Sequence, residues 1–174
     1  MAIQRIAVLG AGHGGCAAAA DLTLKGFEVR LQARRADRLN AIEANGGITA
    51  RGVQNSLAPI SYLTTNVAEA VDGADLIMLV VPSVAHEAYA EALTPVLDAH
   101  TPVFLNPGHT GGGLHFAHAL ARAGFQDTPR LCETVTLTYI SRLESAATVG
   151  IYGYTKRLMF AALPAQETGV LHEL

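Results

Sequence analysis

Three glycines near the N-terminus carry the first chemistry legible in this chain. Gly10, Gly12 and Gly15 stand at G-x-G-x-x-G spacing, directly after the apolar run from Ile6 to Leu9. Each has a separate task in holding a pyrophosphate. Gly10 permits a tight turn out of a strand. Gly12 has no Cβ, so the backbone can come close to the ligand. Gly15 lets the following helix sit close on the sheet. The ligand's negative charge then faces unpaired N–H groups at the helix N-terminus. Gly14 belongs to the same loop, and His13 either contacts the ligand or is simply solvated. Glycine is abundant here, at 17 residues of 174, so the fingerprint draws its weight from the strand before it and the helix after it.

A second group of candidates lies about 20 residues further on, where a βαβ unit of this kind places the residue that reads the adenosine ribose. A carboxylate at that point binds the ribose hydroxyls of NAD. Here Ala33 takes the position, and Arg34 and Arg35 follow. A guanidinium fork matches a 2′-phosphate, and its flat face stacks on adenine. The pair favours NADP, with NAD as the alternative. In the plainer reading one or both arginines only solvate a helix start, with Asp37 and Arg38 as surface partners.

Positioning these groups requires alternating strands and helices, and the pattern supplies them. A small-residue helix runs to Lys25 and is ended by Gly26. Glu28 to Ala33 reads as the second strand and Ala36 to Asn45 as helix. Ile48 to Tyr62 has strand composition around Gly52 and Asn55-Ser56, which predicts an inserted β-hairpin. Val67 to Val71 is a short helix. Leu76 to Val81 is a continuous apolar run stopped by Pro82, as a central parallel strand should be. An amphipathic helix from Ala85 to Ala99 follows, with His100 as the cation at its end. Pro102 to Leu105 is strand, Gly112 to Ala123 helix, and Leu131 to Val135 strand. Shorter strands between Thr138 and Ala162 are expected to extend the sheet edge in antiparallel fashion. The predicted class is α/β: a doubly wound, mostly parallel sheet (Rossmann fold) with a β-hairpin insertion and a C-terminal strand extension. Residues 1–163 would form this dinucleotide-binding domain.

Composition narrows the function classes. The length suits one domain with a sizeable core. Half of the residues are apolar, yet no apolar run reaches the ~18 residues of a membrane helix. The N-terminus enters a strand without a signal-peptide layout, and the cytoplasm is the expected compartment. A net charge of −3 argues against nucleic acid as a partner. Cys16 and Cys132 fit as buried small hydrophobes. His115 and His118 lie three apart with His109 just before them, but no cysteine or carboxylate cluster joins them, so no metal is expected. His86 caps the next helix or borders a nicotinamide pocket. A G-x-S-x-G elbow is absent, which argues against a hydrolase.

Longer segments add a resemblance. VLGAGHGG, DLIMLVVPSVAH, LNPGHTGGGLHF and CETVTLTYISR follow one another across most of the chain. Together they resemble the opine dehydrogenases, the octopine/nopaline dehydrogenase family. The NPG-x-TGG loop with E-T after the next strand is far more selective than the glycine fingerprint. The resemblance implies an oxidoreductase that condenses an amino acid with a 2-oxo acid and reduces the imine with hydride from a nicotinamide cofactor. It places the backbone of Val81 and Pro82, and the loop carrying Asn106 and Gly108, on the nicotinamide side. It places Glu133 near the substrate amine, where a carboxylate orients a cation through charge-assisted hydrogen bonds. The plainer reading makes Glu133 an edge-strand residue paired with Arg130 or Arg142.

Members of that family carry a helical domain that supplies the catalytic histidine. Residues 164–174 therefore read as the start of a truncated or missing helical substrate domain, and His172 lacks the surroundings of that histidine. The isolated chain is expected to bind cofactor and to turn over poorly or not at all. Ketopantoate reductases and glycerol-3-phosphate dehydrogenases share the plan as more distant alternatives. Other options are a non-catalytic NAD(P)-binding sensor and a homodimer formed through residues 148–163.

Overall fold

The structure, a computed structural model, describes residues 3–172. Strand β1 (Arg5–Leu9) alternates its side chains between two cores. Ile6 and Val8 enter the core beneath helix α1 (His13–Leu24), while Ala7 and Leu9 enter the core on the opposite face. The chain continues through β2 (Glu28–Gln32), α2 (Ala36–Ala44), the hairpin β3 (Ile48–Gly52) and β4 (Ser56–Ala58), then β5 (Tyr62–Thr64) and α3 (Val67–Val71). The second half runs through β6 (Leu76–Leu79), α4 (His86–Leu93), β7 (Val103–Leu105), α5 (Gly112–Ala123) and β8 (Leu131–Thr134). It closes with β9 (Tyr139–Leu143), β10 (Thr148–Tyr154), β11 (Phe160–Leu163) and α6 (Thr168–His172).

The main sheet has seven strands in the order β11-β8-β7-β6-β1-β2-β5. All its pairings are parallel except β11 on β8. Without β11 this is the doubly wound order, in which the order of connection reverses between β1 and β6. Val103, Leu105, Phe116 and Leu120 fill the core under α3, α4 and α5.

The expected antiparallel extension is corrected in one respect. Only β11 lengthens the main sheet. β9 and β10 turn away and join the inserted hairpin in a second sheet, β4-β3-β10-β9, with β10 parallel to β3. The physical reason is α1. Its residues from Gly14 to Asp21 are all buried, so both sides of the helix need cover. The main sheet covers one side, and Ala50, Ala58, Val149 and Ile151 of the second sheet share the same core on the other.

Two further differences concern ends. The helix expected to reach Ala99 stops at Leu93. Thr94 bonds its hydroxyl back to the Ala90 carbonyl at 2.8 Å, and Pro95 follows. His100 therefore sits beyond a turn instead of at a helix end, with its N–H on the Asp98 carboxylate. In the tail, Pro164 leads into a short 3₁₀ turn and α6. Arg130 holds Glu167, and Leu171 is buried. Residues 173 and 174 of the expected domain start lie outside the described residues.

Two buried polar groups stand out. Asp21 is fully buried on α1, and its carboxylate accepts the hydroxyls of Tyr139 and Tyr154, each at 2.9 Å, and the Lys25 ammonium at 2.8 Å. This ties α1 to β9 and β10. Burial, and then the Asp21 charge, push the Tyr139 phenol well above its ordinary value, so it remains a donor. His86, at the start of α4, has no exposed surface and lies edge-on to Phe116 at 6.1 Å between ring centroids. Neither of its ring nitrogens has a hydrogen-bond partner among the described residues. Burial first, and the nearby His115 and His109 next, lower its pKa.

Asp21→Ala leaves two tyrosine hydroxyls without their acceptor. It should cost about 3 kcal/mol in denaturant unfolding, and Asp21→Asn less. An unchanged midpoint in the alanine variant would rule out the anchor. His86 has a folded-state pKa below its unfolded value, so the unfolded chain takes up the proton first. The stability it contributes is present above about pH 6.5 and falls as pH drops through the lower folded value. His86→Leu should flatten that acid-side slope relative to the parent in unfolding titrations at several pH values.

Candidate nucleotide-binding site at the sheet switch point

The order in which the strands are connected reverses between the parallel neighbours β1 and β6, and the loops leaving these two strands press together. Gly10 has φ +107°, and a Cβ there would lie 2.5 Å from Val81 Cγ1 and 2.6 Å from the Val80 carbonyl oxygen. Its N–H donates to the Gln32 carbonyl at 2.9 Å, fastening the loop to the end of β2. A Cβ on Gly15 would lie 1.7 Å from the Gly10 carbonyl oxygen, so α1 starts in direct backbone contact with the turn. At Gly12 the opposite holds: an added Cβ would meet no atom within 4 Å.

The three glycines thus divide as the spacing predicts. Two are contact glycines, and the third faces open space. The first helical hydrogen bond of α1 is Cys16 N–H to the Gly12 carbonyl at 3.0 Å, so the N–H groups of His13, Gly14 and Gly15 precede the ladder. Open space, unpaired donors and a twelve-residue helix behind them fit a pyrophosphate. His13 is tied to β9: its Nδ1 accepts the Leu143 N–H at 2.8 Å.

At the end of β2 the two arginines part company. Arg35 precedes α2 and grips Asp37 through two hydrogen bonds of 3.0 and 2.7 Å. The plainer reading holds for this residue. Arg34 is exposed and makes no hydrogen bond or ion pair among the described residues. Ala33 is buried, and the strand end is stiffened by Gln32, whose amide accepts the Tyr89 hydroxyl at 2.8 Å and donates to the Thr65 carbonyl at 3.1 Å. Burial pushes the Tyr89 phenol up, and the charge of Arg34 works against that shift.

The residues expected on the nicotinamide side lie further along the same edge. Val81 is half-buried and Pro82 exposed. Asn106 is buried, and its side chain is occupied: it accepts the Thr138 N–H at 3.0 Å and donates to the Thr138 hydroxyl at 2.5 Å. It therefore braces the loop after β7 against the segment before β9.

Glu133 occupies neither of the places that the plainer reading offered. β8 is an inner strand, with β11 beyond it, and Arg130 pairs with Glu167. The Glu133 carboxylate instead accepts the Gly113 N–H at 2.6 Å, at the start of α5. A Cβ on Gly108 would lie 2.5 Å from Glu133 Cβ, and one on Gly112 or Gly113 would come within 3.3–3.4 Å of its carboxylate. The loop glycines and the glutamate thus form one packed unit.

Several residues went unnoticed in the sequence. Thr138 is 32 positions from Asn106, and Leu143 is 130 from His13. Tyr89 lies inside the amphipathic helix and belongs to no motif. None of these carries a local signal, since each acts through a pairing distant in sequence. His109 has φ +59°, a conformation few non-glycine residues adopt, in the loop next to Glu133. Among the described residues no group of His, Cys, Asp or Glu is arranged for a metal ion, and no helix is long and apolar enough to cross a membrane. A cavity of about 780 Å³ is lined by Leu22, Met78, Phe104 and Phe160 and reaches Thr134 and Thr138.

Comparison with known proteins agrees with this geometry. Residues 6–106 match the family described as Ketopantoate reductase PanE/ApbA. The chain is 35% identical to an opine dehydrogenase of Arthrobacter sp. (strain 1C) over 166 residues, covering 94% of this chain and 45% of that protein. It is 35% identical to a glycerol-3-phosphate dehydrogenase [NAD(P)+] of Lacticaseibacillus casei (strain BL23) over 97 residues, covering 55% of this chain and 28% of that protein. Among solved structures, octopine dehydrogenase with NADH and pyruvate superposes with a TM-score of 0.79 at 21% identity, over 91% of this chain and 43% of that one. The chain thus spans less than half the length of these relatives. The match over residues 6–106 shows that the chain belongs to the ketopantoate reductase PanE/ApbA family, as an NAD(P)-binding Rossmann domain with an opine dehydrogenase homologue.

Proposed function

We propose that residues 1–163 form the cofactor-binding domain of an NADP-dependent oxidoreductase that joins an amino acid to a 2-oxo acid and reduces the resulting imine. The observation that carries the reading is the open cradle at Gly12, walled by Gly10, Gly15 and Val80–Val81 and faced by the N–H groups of α1. The bound cofactor would supply the hydride. The chain's own residues hold and orient: Gly10 to Gly15 the pyrophosphate, Arg34 the 2′-phosphate, and the backbone of Val81, Pro82 and Gly108 the nicotinamide side. Arg35 is a lesser contributor, because Asp37 already holds its guanidinium.

Glu133 is proposed to meet the amine. One of its oxygens caps α5, and the other has no partner among the described residues. The likeness to opine dehydrogenase extends over 94% of the chain and includes this glutamate's surroundings, which supports the amino-acid reading over a glycerol phosphate one. The resemblance also supports a further helical domain as the source of the proton-transferring histidine, so residues 1–174 alone would bind cofactor and turn over slowly. A cytoplasmic setting is consistent with two buried, unbridged cysteines.

Calorimetric titration tests the cofactor choice. NADPH should bind more tightly than NADH. Arg34→Ala should weaken NADPH about tenfold or more and leave NADH unchanged, whereas Arg35→Ala should change NADPH by less than about threefold. Equal affinities, untouched by both substitutions, would overturn the NADP assignment. For the reaction, NADPH oxidation is followed with a 2-oxo acid and a panel of amino acids, using the chain alone. Only slow consumption, dependent on both substrates, is expected. Rapid turnover would disprove the need for a second domain.

A further inference from the structure

One side chain in the phosphate loop is held from far away in sequence. His13 is the first residue of α1, and both of its fixed contacts are to β9. The Leu143 N–H donates to His13 Nδ1 at 2.8 Å, and the Ser141 hydroxyl donates to the His13 carbonyl at 3.2 Å. A ring nitrogen that accepts a hydrogen bond carries no proton, so the neutral imidazole keeps its proton on Nε2. The side chain is exposed and adjoins Gly12, the one glycine of the fingerprint that faces open space. β9 in turn is fixed to α1 at two further levels. Leu137, just before the strand, packs where a Cβ on Gly14 would lie, 2.9 Å from its Cδ2. Tyr139 reaches the buried Asp21.

We propose that His13 donates Nε2–H to the cofactor's pyrophosphate, and that β9 is the positioning strand that sets the tautomer making this possible. The proposal rests on the dinucleotide reading above. Glycine loops of this kind hold a pyrophosphate on backbone N–H groups at a helix N-terminus. Here the second sheet would add one side-chain donor whose direction is fixed before the ligand arrives, so little ordering is left to be done on binding. A purely structural His13 needs only an acceptor at Nδ1; a ligand-binding His13 also needs the donor at Nε2. Asparagine separates the two, because its Oδ1 can take the Leu143 N–H while nothing stands where Nε2 stood.

The test uses His13→Asn and His13→Ala with NADPH and with 2′-AMP, which carries the 2′-phosphate but no pyrophosphate. His13→Asn should keep the parent's melting temperature, lose about five- to tenfold in NADPH affinity, and bind 2′-AMP as the parent does. His13→Ala should lose the same affinity and melt lower as well. In the parent, ¹⁵N chemical shifts of the imidazole should show the proton on Nε2, and NADPH but not 2′-AMP should move that resonance. Parent-like NADPH binding by His13→Asn, or a proton found on Nδ1, would overturn the proposal while leaving the dinucleotide reading intact. Absence of binding to any of NADPH, NADH and 2′-AMP by the parent would overturn both.

Discussion

Helix α1 is enclosed on both sides, and much of the molecule follows from that. A helix packed between two sheets has no solvent face on which to carry long side chains. The stretch from Gly14 to Ala20 is built of glycine, cysteine and alanine, and every residue of it is buried. Small side chains let both sheets approach closely, which is how dense interior packing is reached here without large residues. One polar group interrupts the run. Asp21 would be costly alone in that position, and two tyrosine hydroxyls and a lysine satisfy it. The same contacts fix the second sheet at a set distance from the phosphate loop.

Two of the helix N-termini at the carboxyl edge of the main sheet differ in what faces them. That of α1 is open, with backbone donors facing the empty space at Gly12. That of α5 already holds an anion, the Glu133 carboxylate, supplied from β8. A helix N-terminus favours negative charge in either case. The open one suits a phosphate arriving from solution. The filled one holds a carboxylate in place and leaves one oxygen for a cation. In the proposed function, the open terminus would take the cofactor's pyrophosphate and Glu133, on the same edge, a substrate amine. Asn106 and Thr138 stiffen the stretch between them.

Local patterns carried most of the main sheet. The strand order follows from alternating strands and helices together with the glycine turn, because parallel strands need crossovers and crossovers have one hand. The hairpin at Ile48–Tyr62 and the helix at Gly112–Ala123 were likewise legible from turn residues and apolar spacing. The second sheet was not, since the pairing of β10 with β3 joins segments about a hundred residues apart and leaves no trace in either. At the site, glycine spacing identified the contact positions, and the absence of a carboxylate at Ala33 drew attention to the arginines. That Arg35 is held by Asp37 while Arg34 stays unengaged depends on side-chain placement at the start of α2. The place of Glu133 is instructive in another way: Gly108 drew attention as part of a loop and Gly112–Gly113 as a helix start, yet a Cβ on any of the three would press on the glutamate, a contact between segments that neither one shows alone.

The parallel pairing of β3 with β10 also bears on how the chain reaches its native state. Contacts between distant segments form late, because a long loop must close before they contribute. During synthesis the glycine loop and α1 emerge first, but the strands that cover the outer face of α1 include residues 139–154. Until those residues leave the ribosome, an alanine-rich helix with a buried-type aspartate has only the β3–β4 half of its second sheet. The earliest motif in the chain is therefore among the last to be finished.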